Sequence, residues 1–147
     1  MKMKLSQALK EKNKLVKKIG NDQKLLGSNN SVIKGNDRDF NPEDLLKSIK
    51  ENTVKLVKIK TAIAHANKPI VERIIRQGEC KSLITFLKKL NTSDGQVQDR
   101  YRSSDPIAYE AHIKGRDVAR EVETLEAEIE KIQAEIDEFN NTTFIAE

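Results

Sequence analysis

The sequence predicts a mainly α protein: long antiparallel amphipathic helices in a coiled-coil-like bundle, with a short β-hairpin, assembled as a homo-oligomer. Three observations carry this expectation. Apolar residues recur at alternating intervals of three and four along most of the chain, the signature of helix pairing. Charged residues make up 34% of it and aromatics only 4%, so narrow apolar stripes run beside wide solvated faces. The 147 residues amount to one domain, with little apolar surface per residue to bury inside a single copy.

The first helix is expected over about 4–26. Its stripe reads Leu5, Leu9, Lys12, Val16, Ile19, Gln23 and Leu26, supported by Ala8 and Leu15. Gly27 suits a C-cap and Gly20 weakens the last turn. A polar loop, 27–41, follows.

The second helix, 42–67, opens on Asn41-Pro42-Glu43-Asp44. This run supplies an N-cap, a proline at the first helical position and two acids facing the helix dipole. Leu45, Ile49, Asn52, Leu56, Ile59, Ile63 and Ala66 repeat the 4-3 spacing, with Asn52 as a polar register-setter in the seam. Leu46, Thr53, Val57 and Ala64 form a flanking row that widens the apolar face toward a second neighbour. Pro69 ends the helix near Asn67.

A short helix is expected over 80–91, carrying Leu83, Ile84, Phe86, Leu87 and Leu90, and a second loop over 92–106. Ile70 to Ile75 reads as either extended or helical. Residues 107–113 alternate apolar positions with period two, which suggests a hairpin between 70–76 and 107–113. A helix running through 107–139 is the competing reading. The last helix, 117–139, carries the clearest signal, with Val118, Val122, Leu125, Ile129, Ile132, Ile136 and Phe139 in strict heptad spacing. At about 1.5 Å per residue, the second and last helices are each roughly 35 Å long.

Charge is unevenly spread. Residues 1–20 hold seven lysines against Glu11, a balance of +6, whereas 117–147 hold ten acids against Arg120 and Lys131, a balance of −8. Such ends attract within a fold or between subunits.

The chemistry of an enzyme is not visible. No phosphate-binding glycine loop is present, His65 and His112 lack metal-ligand spacing, and Cys80 has no nucleophile signature. The expectation is a non-enzyme without metal or cofactor. The single cysteine and the lack of an apolar leader or span suit the bacterial cytosol.

The expected binding surface is the stretch 100–116. Arg100, Tyr101, Arg102, Ser103, Tyr109, His112, Lys114 and Arg116 combine forked guanidinium groups, hydroxyls and stacking rings, a mixture suited to a nucleotide or other small anion. Arg73 and Arg76 join this set if the two extended segments pair. No groove-reading element for duplex DNA is present.

The order of features resembles the septicolysin-like family of small bacterial and phage-associated helical proteins. The matching pieces are Lys4-Leu5-Ser6-Gln7-Ala8-Leu9, the second-helix seam ending in Asn67, the segment Gly78 to Leu90, and Ile132, Glu135-Ile136-Asp137 and Asn140-Asn141-Thr142-Thr143. Asn141 stands where the family has Trp, and Ala64-His65-Ala66 departs from its polar pattern before Asn67. The resemblance implies an all-helical, intracellular, oligomeric protein and transfers no catalytic residue.

The functional expectation is a homo-oligomer, its only protein partner itself, that sequesters an anionic small molecule. A nucleotide second messenger held by a phage-encoded anti-defence sponge fits that description. A cytolysin-like protein docking its Lys-rich first helix on anionic lipid, and a protein–protein assembly module, are the alternatives.

Overall fold

A computed structural model describes residues 2–97 and 106–146. The element order is β1 (Met3–Lys4), α1 (Leu5–Asn29), α2 (Pro42–Ala66), a 3-10 turn (Lys68–Ile70), α3 (Val71–Lys89), β2 (Gly95–Val97), β3 (Ile107–Tyr109), α4 (Gly115–Thr142) and β4 (Phe144–Ile145). The chain divides into two compact units, 1–69 with 137–147, and 70–136.

The first unit is a helical hairpin of α1 and α2, with the ribbon of β1 and β4 packed on it. The ribbon is antiparallel, Met3 opposite Ile145 and Lys4 opposite Phe144. The Leu5 N–H donates to the Thr143 carbonyl at 2.8 Å, tying the first turn of α1 to the chain's end. Gln7 Oε1 accepts from the Lys4 N–H at 3.2 Å, satisfying another donor that the helix start leaves open. Leu5, Ala8, Ile63 and Ile145 are buried together, with Ile59, Ala66 and Phe139 packed against them.

The start of α2 forms as expected. Asn41 Oδ1 accepts from the Glu43 N–H at 3.0 Å, Pro42 takes the first helical position, and the helix ends at Ala66 with Asn67 as its cap. Every seam residue from Leu45 to Ala66 is buried or half-buried, but the flanking Leu46, Thr53, Val57 and Ala64 are exposed. The expected second neighbour is not supplied by this unit.

In α1 two expectations fail. The helix runs to Asn29, past Gly27, because Arg38 supplies the cap instead: its Nε and Nη2 donate to the Asn29 and Asn30 carbonyls, each at 3.1 Å. The stripe is also one phase off. Val16 and Gln23 are exposed, whereas Ala8 and Asp22 are buried, so the seam reads Leu5, Ala8, Lys12, Leu15, Ile19, Asp22, Leu26. An aspartate in the core position disguised it. Between α1 and α2 the loop turns at Gly35, whose φ of +96° favours glycine.

The second unit corrects the middle of the chain. No hairpin joins 70–76 to 107–113; α3 is one helix from Val71 to Lys89, absorbing both the undecided segment and the helix expected over 80–91. Leu90 and Asn91 fall outside it. Ile107–Tyr109 pairs instead with Gly95–Val97, within the expected loop 92–106, with Gly95 opposite Tyr109 and Val97 opposite Ile107. The competing helix through 107–139 is broken by this strand, and α4 begins at Gly115. Asp117 fixes that start: its Oδ2 accepts from the Lys114 N–H at 3.0 Å. The expected heptad faces inward along α4, with Leu125, Ile132 and Ile136 buried and Val118, Val122, Ile129 and Phe139 half-buried.

These stripes are covered by the chain's own elements, Phe139 against the first unit's core and Leu125 against α3. Concealing them therefore does not require a sister copy.

Candidate functional site

Within the second unit, α3 and α4 run antiparallel and are joined by an apolar cluster and a polar edge. Cys80, Ile84 and Leu125 are buried, with Leu87, Val122 and Ile129 against them. Arg76 grips Glu128 with two forked hydrogen bonds, Nε–Oε1 at 2.8 Å and Nη2–Oε2 at 3.1 Å. Arg73 Nε lies 3.3 Å from Glu135 Oε2. The nearly buried Gln77 donates through Nε2 to Gln133 Oε1 at 2.8 Å. The hydrogen bond from Arg76 is the main reason the Glu128 carboxyl is held below its ordinary range, against the opposing effect of desolvation.

The side of α3 turned away from this packing is also apolar. At about 100° per residue, Gln77, Cys80, Ile84 and Leu87 share one side, and Val71, Ile74, Ile75, Gly78, Ser82 and Phe86 share the opposite one together with Thr85 and, in the last turn, Lys89. Val71 is 47% exposed, Ile75 60% and Phe86 59%. A Cβ at Gly78 would meet no atom, so the middle of this face is open. A helix only about 28 Å long thus carries two apolar faces, and only one is covered. Reading 70–75 and 80–91 as separate pieces hid this face; the signal was present in the spacing from Val71 to Phe86.

The residues expected to hold an anion are scattered in their commitments. Arg100, Tyr101, Arg102 and Ser103 lie outside the described residues. Arg73 and Arg76 do not join Tyr109 and His112, because they are held on α3 by glutamates of α4. Lys114 is paired with Asp94 across the base of the β2–β3 ribbon, and that hydrogen bond chiefly lowers the Asp94 carboxyl. Tyr109 and His112 are exposed, and Arg116 is exposed in the first turn of α4. Arg116 has no carboxylate partner among the described residues.

Among the described residues no group of three or more His, Cys, Asp or Glu side chains is arranged to hold a metal. No described helix is long and apolar enough to cross a membrane.

These features define a mainly helical protein of two compact units, each with a small antiparallel ribbon. The fold is similar to the crystal structure of a functionally unknown conserved protein from Corynebacterium diphtheriae. That likeness has a TM-score of 0.72 at 19% identity, covering 99% of this chain and 100% of the other. No family model matches the chain, and no curated protein matches it.

Proposed function

We propose that this protein is a non-enzymatic helical assembly module that self-associates through the uncovered face of α3. The observation that supports this reading is the opposition of two apolar faces on one short helix, with the α4-side face buried and the other open at Val71, Ile74, Ile75 and Phe86.

A second copy suits the face by its own symmetry. A twofold axis through the middle of α3 sets Gly78 opposite Ser82 of the second helix, where two small residues let the backbones approach. The same axis brings Ile74 of one copy to the level of Phe86 in the other, on opposite flanks, so the large side chains interleave rather than collide. An isologous contact of this kind closes on itself as a dimer.

Sedimentation at micromolar concentration tests the reading. The wild-type chain is expected above its monomer mass of 16.7 kDa, and Ile75→Glu with Phe86→Glu is expected at that mass with an unchanged helical spectrum. A wild-type particle of monomer mass, or a double variant that still associates, would end it.

A second reading, sequestration of a nucleotide or similar anion, is favoured by the exposed Arg116 at the N-terminal turn of α4, near Tyr109 and His112 in sequence. Calorimetry against cyclic and linear nucleotides, with Arg116→Ala and Tyr109→Ala, tests it. A flat titration across the panel leaves the assembly reading alone.

A further inference from the structure

We propose that a cleft in the first unit, beside the β1–β4 ribbon, binds a fatty acid, taking the acyl chain on its apolar wall and the carboxylate on two lysines. The cleft has a volume of about 290 Å³ and is walled by Met3, Ile59, Ala62, Ile145 and Ala146. Lys55 and Lys58 complete its lining. The site shares no residue with the α3 face and stands or falls independently of it.

Local structure explains the juxtaposition. Antiparallel pairing sets Met3 opposite Ile145. Helical spacing brings Lys55, Lys58, Ile59 and Ala62 to one side of α2. Ile145 is buried in the core cluster against which Ile59 and Ala62 pack, so the apolar wall of the cleft is continuous with the core of the unit. The lysines bring their aliphatic stems to the wall while their ammonium groups reach water.

Charge selects the ligand. Among the described residues no acidic side chain lines the cleft, and neither Lys55 nor Lys58 has an ion-pair partner. Two unpaired cations beside an apolar wall complement one anionic head on an apolar body. The wall is almost wholly carbon. A peptide would bring N–H and C=O groups, and a nucleotide a base and several phosphate oxygens, none of which finds enough partners there. A polymethylene chain brings no polar atom except its head.

Dodecanoate below its micellar concentration is the probe, followed by calorimetry and by methyl NMR of Met3, Ala62, Ile145 and Ala146. Saturable binding to one site that moves these methyl signals is expected. Dodecylammonium and dodecyl maltoside, with the same tail and a cationic or neutral head, should bind at least about tenfold more weakly. The exposed pair Lys55→Gln and Lys58→Gln should weaken dodecanoate by a similar factor, while Lys50→Gln with Lys60→Gln, equal in charge removed, should not. No saturable binding, equal binding of the three heads, equal loss in both lysine pairs, or shifts confined to other methyls would each overturn the proposal. Flotation with anionic phosphatidylglycerol vesicles separates a free fatty acid from a membrane surface. Co-flotation that requires Lys55 and Lys58 would assign the lysines to lipid headgroups and likewise defeat the proposal.

Discussion

Ser48 donates its hydroxyl to Oδ2 of Asp22 at 3.0 Å, holding a carboxylate that is 2% exposed where a heptad seam calls for an aliphatic side chain. Lys18 reaches the same carboxylate from one turn earlier at 2.7 and 2.8 Å, and Asn52 donates to the Ser48 hydroxyl at 3.3 Å. The carboxylate is therefore paired and hydrogen-bonded, as burial demands. Four residues from two helices form a polar chain that works in only one register of α1 against α2. Asn52 is the register-setting residue expected of the α2 seam, and it acts through Ser48 on an aspartate in the opposite helix.

This chain predicts an acid-dependent stability. The Lys18 hydrogen bond, more than any other contact, lowers the Asp22 carboxyl from its ordinary value of 3.8. A depressed folded-state pKa contributes stability above the unfolded value that is lost as pH falls through the folded one. The difference in urea midpoint between the wild type and Asp22→Asn should thus be largest near pH 7 and shrink below about pH 4. A difference independent of pH would show that the charge of Asp22 contributes nothing.

Ser48→Ala removes one donor from the same carboxylate and leaves the packing nearly intact. A loss of about 1 kcal/mol in chemical denaturation is expected. Thr61→Ala, on the exposed side of α2, should change stability by less than about 0.5 kcal/mol and serves as the comparison.

The phase of the α1 seam can be read by substitution. Ala8 is fully buried against Leu5 and Ile63, so Ala8→Leu should overpack the site and cost about 1–3 kcal/mol. Val16 is 48% exposed, so Val16→Ala should cost less than about 0.5 kcal/mol. The alternative phase, with Val16 inside, requires the reverse order. Leu5→Ala, at a fully buried position in either phase, should cost about 2–4 kcal/mol and calibrates the pair.

Arg73 and Arg76 are expected to be structural. Arg76→Ala should lower the melting temperature and, by freeing Glu128 from its forked partner, return that carboxyl toward its ordinary range in a carboxyl NMR titration. Neither arginine variant should alter binding of any nucleotide that Arg116→Ala weakens. A loss of nucleotide affinity in Arg76→Ala would return that arginine to the anion site.

Local spacing in the sequence carries four helical regions, the cap at Asn41-Pro42 and the seams of α2 and α4, and leaves 107–113 open between a strand and the start of the last helix. Each of these follows from residues within a few positions of one another. Contacts between residues distant in the chain set the rest. Asp22 reads as a surface residue until Lys18 and Ser48 surround it, which moves the α1 seam by one position. Gly27 reads as a stop until Arg38, nine residues beyond Asn29, caps the carbonyls instead. Val71 to Ile75 suit a strand or a helix by composition, and become the first turns of α3, bearing the exposed face. The strand partner of 107–109 is 95–97, and three of the cations expected to hold an anion, Arg73, Arg76 and Lys114, are engaged by Glu135, Glu128 and Asp94. Local periodicity states which side of a helix is apolar, but only the neighbours state whether that side is covered.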